Sequence, residues 1–271
     1  MENTLKFKKY HLPCPACGSS DALSINENGS AKCFSCDTFF PKGVDNQANI
    51  VDSETKMTET VRELNAHGGT FAKLADRNIS RETAEKYGVK TVYDSAGQIA
   101  QHIYPLYINN ELTSNKVRYV RDKKFSYDVS PQGVGLFGQQ LFKEGGKYLT
   151  ITEGECDAMA AYELLGSKWA VVSIIRGASG AVKDVKENLE YIESFDNIVI
   201  CFDKDRQGIE SAKKVASILK PGKAKIITLP NGYKDANDML LKGKYKEFVS
   251  SWWDAKLYTP SGIIRVSEKK N

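Results

Sequence analysis

The run Tyr148-Leu149-Thr150-Ile151-Thr152-Glu153-Gly154-Glu155-Cys156-Asp157 reads as a buried strand that stops at a group of acids. Its first five residues are apolar or β-branched, too short a run for a helix, and glycine follows closely. The same pattern recurs where Asn197-Ile198-Val199-Ile200-Cys201-Phe202 gives way to Asp203-Lys204-Asp205-Arg206-Gln207-Gly208. The strand-like stretches Ala170 to Ile174 and Lys225 to Leu229 complete the set, and helical segments are expected from Asp157, Ala181 and Gly208. Strands alternating with helices imply an α/β fold, a mostly parallel sheet covered by helices. In open sheets of this kind function sits beyond the carboxyl ends of the strands, so the residues just after each strand are the ones that carry chemistry.

Those residues are acids. Glu153 and Asp157 follow one strand, Asp203 and Asp205 another, and Asp235 lies in the turn Lys234-Asp235-Ala236-Asn237-Asp238 after a third. Carboxylates crowded at one sheet edge repel each other unless a hard divalent cation, held through oxygen, gathers them. Magnesium is the expected ion, with manganese able to substitute. The alternation of an extended chain puts Asp203 and Asp205 on one face, and Gly208 lets the next helix start close to them. For Asp157 or Asp238 alone a helix cap or a solvated turn is an equal alternative; the set Glu153, Asp203 and Asp205 argues for the ion.

Toward the N-terminus, Cys14-Pro15-Ala16-Cys17 and Cys33-Phe34-Ser35-Cys36 stand 15 residues apart, the spacing of a tetrahedral zinc site with Cys14, Cys17, Cys33 and Cys36 as ligands. Residues 1–45 therefore read as a small zinc-ribbon β domain, with strands at Ala22 to Asn26 and up to Cys33, a turn at Asn28-Gly29 and a further extended piece at Thr38 to Phe40. So small a domain needs the metal to supply folding energy. A polar linker is expected over 46–60. An N-terminal α+β subdomain spans 61–145: helical from Val61, a capped helix from Ser80 to Gly88, then Ile103 to Ile108 and Lys116 to Val120 around the Asn109-Asn110 turn. The α/β subdomain covers 146–258, and 259–271 read as a tail or connector. Cys156 and Cys201 stand alone and read as buried non-ligands.

With 41% hydrophobic and 27% charged residues among 271, the chain is globular rather than disordered, collagen-like or coiled-coil. No run approaches the roughly 20 apolar residues of a membrane span, so no membrane partner and a cytoplasmic location are expected. A net charge of +4 is too small to announce nucleic acid by itself. Its distribution is more telling. Lys116, Arg118, Arg121, Lys123 and Lys124 stand against the one acid Asp122 and are interleaved with Tyr119, Phe125 and Tyr127. Such a basic β segment suits the phosphates of a nucleotide or a DNA strand, although a charged strand edge that deters aggregation would look similar.

The Glu-Gly-Glu-x-Asp at 153–157 and the Asp-x-Asp-x-x-Gly at 203–208 resemble the toprim domain of primases, topoisomerases and some nucleases. Together with the ribbon, Ile79 to Thr83, Lys116-Val117-Arg118, Leu136-Phe137-Gly138, Gly177-Ala178-Ser179 and Lys234 to Asn237, they make the chain resemble DNA primases, most closely the primase half of T-odd phage primase-helicases. The resemblance implies a toprim-type sheet and synthesis of short RNA primers on single-stranded DNA from ribonucleotide triphosphates, for DNA replication. It implies Glu153, Asp157, Asp203 and Asp205 as catalytic residues, Glu153 being the general base. Magnesium would be held by Glu153, Asp203, Asp205 and Asp235, and phosphates by the basic segment. The implied partners are template, RNA primer, a replicative helicase and a DNA polymerase, in the host cytoplasm if the chain is phage-encoded. Two departures stand out. Ser30 occupies the place of a base-reading histidine, with His11 three residues before the first cysteine instead, and no phosphate loop of the Gly-x-x-x-x-Gly-Lys type is present, so no helicase motor is expected in this chain. A zinc/toprim recombination mediator, without catalysis, and a toprim nuclease are the alternatives. In the mediator the zinc module abuts the toprim segment, whereas more than 100 residues separate Cys36 from Glu153 here.

Overall fold

A computed structural model describes residues 7–14, 16, 19, 22–36, 38–40, 68–129 and 133–260. The chain divides into two units, the described residues between 7 and 40 together with 129 belonging to the first and 68–128 and 133–260 to the second.

The first unit is an antiparallel meander of Phe7–Leu12 (β1), Leu23–Asn26 (β2), Ala31–Cys33 (β3) and Phe39–Phe40 (β4), paired in that order. Gly29, at φ +83°, makes the turn between β2 and β3. The buried core among the described residues is Cys14, Leu23, Ala31 and Cys33. Two of these four are cysteines, so apolar burial alone cannot offset the entropy of ordering the chain. β1 was not expected from sequence. Its Lys8, Lys9, Tyr10 and His11 are all exposed, so no buried alternation marks it.

In the second unit, Ser80 caps the helix Arg81–Lys86 (α1), accepting from Thr83 N at 3.2 Å. Strands Lys90–Tyr93 (β5), Ile99–Ile108 (β6), Glu111–Tyr119 (β7) and Lys124–Tyr127 (β8) follow as an antiparallel meander. Asn109 and Asn110 between β6 and β7 both have positive φ, 50° and 68°, as a tight hairpin turn requires.

The remaining strands, Gly146–Thr152 (β9), Ala170–Ser173 (β10), Phe195–Cys201 (β11), Ala224–Ile226 (β12) and Lys256–Leu257 (β13), form one sheet in the order β10-β9-β11-β12-β13. All are parallel except the short β13. The helices between them are Glu155–Leu164 (α2), Gly177–Glu187 (α3), Leu189–Glu193 (α4) and Arg206–Ile218 (α5); Ala236–Leu241 (α6) and Tyr245–Trp253 (α7) follow β12. The period-2 alternation of the strands divides the core. Leu149, Ile151, Ile198 and Ile200 face Ala181 and Val185 of α3 and Ala212 and Val215 of α5. Val199 and Cys201 face the other way, toward Met159, Met239 and Trp252. Trp252 donates its indole N–H to the buried Thr150 Oγ1 at 2.9 Å, which satisfies both polar groups.

This order positions the site. From β9 the chain crosses to β10 on one side, and from β11 it crosses to β12 on the other, so the carboxyl ends of the neighbours β9 and β11 frame the crevice where an open sheet can bind a ligand. The helices start two to four residues earlier than expected, at Glu155, Gly177 and Arg206, because their first turns hold the acids and glycines that read as loop. The fourth strand ends at Ile226 rather than Leu229, and the two-residue β13 beside it gave no sequence signal.

Gly208 allows the close approach of α5. A Cβ there would lie 2.3 Å from the Asp203 carbonyl oxygen, and neither backbone can give way cheaply. Gly208→Ala is expected to destabilise the protein by about 1–3 kcal/mol in urea unfolding, and to displace Asp203. An unchanged midpoint would contradict this packing.

Candidate active site

Glu153 lies just after β9, and Gly154 is the cap residue of α2, which carries Glu155 and Asp157 in its first turn. Asp203 lies two residues after the end of β11. The loop after β12 is tied back to it, Lys204 N donating to Lys234 O at 2.8 Å. Two of the acids cap helices. Asp205 Oδ1 accepts from Gly208 N at 2.9 Å at the start of α5, and Asp235 Oδ1 from Asp238 N at 2.7 Å at the start of α6. Asn237 N in turn donates to Asp157 Oδ1 at 3.1 Å, which fastens α6 to α2. Three loops thus bring Glu153, Asp157, Asp203, Asp205 and Asp235 into each other's field.

The electrostatics show the crowding. Burial, then the charges of Asp203 and Asp205, push Glu153 from 4.5 to about 7. Burial, Asp235 and Asp203 push Asp157 well above the usual carboxylate range. Asp203 is raised by burial and by Asp235 and Asp205, although Lys234 opposes this. Glu153 Oε2 is buried without a hydrogen-bond partner. An orphaned carboxylate oxygen among like charges is the environment that a divalent cation would relieve, so the residues fit such an ion. Lys234 Nζ now reaches Asp203 Oδ2 at 2.7 Å.

The basic segment divides. Lys116 is buried, donating to Glu155 Oε1 at 2.6 Å and to Ile175 O at 2.9 Å. Burial lowers its pKa, but the Glu155 charge and hydrogen bond more than offset this and raise it. Tyr127, across β7 and β8 from Lys116, donates to the same carbonyl at 2.9 Å. Asp184 accepts from Ile175 N and Arg176 N at 2.8 and 3.0 Å, so the loop after β10 is held from both sides. In this structure Lys116 forms an ion pair that ties the antiparallel sheet to the first turn of α2. Arg118 is half-buried two residues further along β7, while Arg121, Lys123, Lys124, Tyr119 and Phe125 are exposed. Asp205 is also exposed.

Sequence reasoning missed a second layer. His102 is fully buried, with Nε2 3.1 Å from Asp76 Oδ1 and Nδ1 3.3 Å from the Tyr104 hydroxyl, which lies 3.2 Å from Cys156 Sγ. Arg77 and Asn237 bond reciprocally, Asn237 Nδ2 donating to Arg77 O at 2.8 Å and Arg77 Nη1 to Asn237 Oδ1 at 3.3 Å. Nothing local in the sequence pairs residues 160 apart. Cys201 is buried and Cys156 half-buried; burial pushes the Cys156 thiol to about 11 and that of Cys201 well up, so both are held as thiols.

In the first unit the ligand atoms of Cys14, Cys33 and Cys36 all lie within 4.8 Å of one another, and such a group of soft sulfurs would suit a metal ion. Cys17 lies outside the described residues. Among those residues, the thiols alone form a group of metal-ligating atoms as tight as this; the carboxylates of the second unit are more open. Ser30 is buried, donating to Asn28 Oδ1 at 2.7 Å and accepting from Asn26 Nδ2 at 2.8 Å, while His11 is exposed. No helix among the described residues is long and apolar enough to cross a membrane.

A family model described as Toprim-like matches residues 150–240. The chain is 32% identical over 269 residues to a DNA helicase/primase of Enterobacteria phage T3, covering 97% of this chain and 46% of that protein, so it spans about half the length of this curated relative. The primase fragment of the bacteriophage T7 primase-helicase protein is similar at 32% identity and a TM-score of 0.61, over 91% of this chain and 100% of that one. A chain from the structure of the T7 lagging-strand DNA polymerase interacting with primase domains bound to an RNA/DNA hybrid and dTTP is similar at 34% identity and a TM-score of 0.63, over 70% of this chain and 94% of that one.

The raised carboxyl of Glu153 sets a sign for stability. Folded protein binds more protons there than unfolded protein between pH 4.5 and about 7, so without divalent cations stability falls as pH rises through that window. Glu153→Gln is expected to melt above the parent at pH 8, by on the order of 1–2 kcal/mol after solvent screening, and to lose that advantage toward pH 4.5. Thermal melts in a chelating buffer at the two pH values measure it. Equal melting temperatures at pH 8 would contradict the crowding.

Proposed function

The chain belongs to the phage primase family represented by the bacteriophage T7 primase fragment, and from that premise we propose that it synthesises short RNA primers on single-stranded DNA from ribonucleotide triphosphates. The observation that supports this most is the meeting of Glu153 and Asp203, from the adjacent strands β9 and β11, with Asp157 and Asp235 at the switch point of the sheet.

Magnesium, or manganese in its place, would be held by Glu153, Asp203 and Asp235, with Asp157 and Asp205 alongside. When bound, such an ion supplies Lewis acidity toward phosphoryl oxygens and offsets charge on the triphosphate. Glu153 accepts the proton of the attacking 3′ hydroxyl; its carboxyl, raised to about 7, is poised to gain and lose a proton near neutral pH. Asp157 is oriented by the backbone of Asn237. Lys116 holds Glu155 and the loop at Ile175, keeping α2 in place. Arg118, Arg121, Lys123 and Lys124 carry phosphates, and Tyr119 and Phe125 offer exposed rings beside them for the bases of a single strand. The ribbon would hold zinc through Cys14, Cys17, Cys33 and Cys36 and meet the template with the exposed Tyr10, Phe34 and Phe39. Residues 46–60 would tether it, 61–145 and 146–258 would be the two halves of the polymerising domain, and 259–271 would lead onward. A replicative helicase and a DNA polymerase are the proposed partners, as the relatives' descriptions suggest.

The test is incubation with single-stranded template, magnesium and labelled ribonucleotides. Short oligoribonucleotides support a primase; cleaved DNA would point to a nuclease, and binding without either product to a mediator. Asp203→Asn and Glu153→Gln are expected to reduce synthesis about a hundredfold or more with the fold retained by circular dichroism. Near-normal yield at saturating magnesium would sink the site. Cys33→Ser is expected to lose one zinc per chain and template-specific priming before general nucleotide condensation, because the two units have separate cores. Retained zinc and full selectivity would refute the ribbon's role.

A further inference from the structure

We propose that Lys234 is the resident counter-ion of the acid cluster, exchanged for the divalent cation when that ion binds and then turned toward the phosphates of the incoming nucleotide. The inference rests on the polymerising site proposed above and assigns to it a residue that moves.

The geometry sets a fixed base and a free arm. Lys234 N donates to Asp238 Oδ2 at 3.2 Å and Lys234 O accepts from Lys204 N at 2.8 Å, so its backbone is pinned. The side chain is 58% exposed, yet its ammonium lies 2.7 Å from Asp203 Oδ2, whose own side chain is only 15% exposed. A flexible stem in water with its charge at the lip of a half-buried site can swing at little cost beyond the ion pair itself. The tie between the two loops does not need that ammonium, because the Lys204–Lys234 backbone bond already makes it.

The charge is in the right place to serve as a stand-in. Asp203, Asp235 and Asp205 all act on Lys234, and Lys234 in turn lowers Glu153. Two other lysines nearby are engaged elsewhere. Lys204 Nζ donates to Leu229 O, Pro230 O and Asn231 Oδ1, and Lys242 Nζ lies 3.0 Å from Asp238 Oδ1. A divalent cation ligated by Asp203 competes for the same carboxylate, and two positive charges cannot share it without strong repulsion. Once displaced, the ammonium needs an anion within reach of its stem, and a triphosphate bound at the same ion provides one.

Manganese binding to the full chain, followed by paramagnetic resonance without nucleotide, separates this from a strut. Lys234→Gln and Lys234→Met are expected to bind manganese about fivefold more tightly than the parent, because a competitor is gone, whereas Lys234→Arg stays near the parent value. At saturating manganese, a non-hydrolysable ribonucleotide triphosphate should bind the Gln and Met variants about tenfold more weakly. Manganese affinity that is unchanged or weaker in both neutral variants would overturn the exchange and make Lys234 a strut. Unchanged triphosphate affinity would overturn its transfer to phosphate. Asp203→Asn is the control: if it binds manganese as well as the parent, the acid site itself is misplaced and the exchange falls with it. If Asp203→Asn binds weakly while the Lys234 variants match the parent, the exchange alone fails.

Discussion

Like charges held together at the edge of a sheet are the constraint from which most of this architecture follows. A parallel sheet whose chain leaves β9 and β11 in opposite directions opens a crevice between them, and the residues that follow those strands cannot avoid it. Filling that place with carboxylates costs stability, visible in the upward displacement of Glu153, Asp157 and Asp203. The surrounding structure has to resist their separation. It does so with the Lys234 ion pair, the Asn237 bond to Asp157 and the close seating of α5 that Gly208 permits.

The antiparallel sheet takes part in the same task from the side. Tyr104, Lys116 and Tyr127 stand in register across β6, β7 and β8, and each reaches the α/β sheet's periphery: Cys156, Glu155 and the Ile175 carbonyl respectively. Three polar side chains in one cross-strand row make a seam whose groups satisfy each other away from water. Ser80, bonding to Glu163 through both its amide and its hydroxyl, secures the other end of α2 to the cap of α1. The helix that carries Asp157 is thereby anchored at both ends.

What the sequence revealed, and what it hid, divides by the range of the interactions. The alternation of strands and helices was legible, because β-branched runs ending at acids are local signals, and Glu153, Asp203 and Asp235 fall where those signals put them. Lys116 was legible as a cation but not as a buried one. Its partner Glu155 is 39 residues away, and only the folded register of β7 against α2 brings them together. The same holds for His102 with Asp76 and for Arg77 with Asn237, whose residue types carry no pattern until the sheet is formed. The edge pieces β1 and β13 escaped notice for a different reason: an exposed strand and a two-residue strand bury too little to leave a hydrophobic period.

The caps of α5 and α6 make one set of atoms answer to two demands. In each, Oδ1 of an aspartate closes the open end of a helix, while the same residue's charge adds to the field of the site. Asparagine caps a helix as well as aspartate does, and alanine does not. Asparagine at Asp205 or Asp235 would therefore keep the cap and remove the charge, whereas alanine would remove both. The two demands can thus be told apart at a single position, because asparagine meets the first and fails the second.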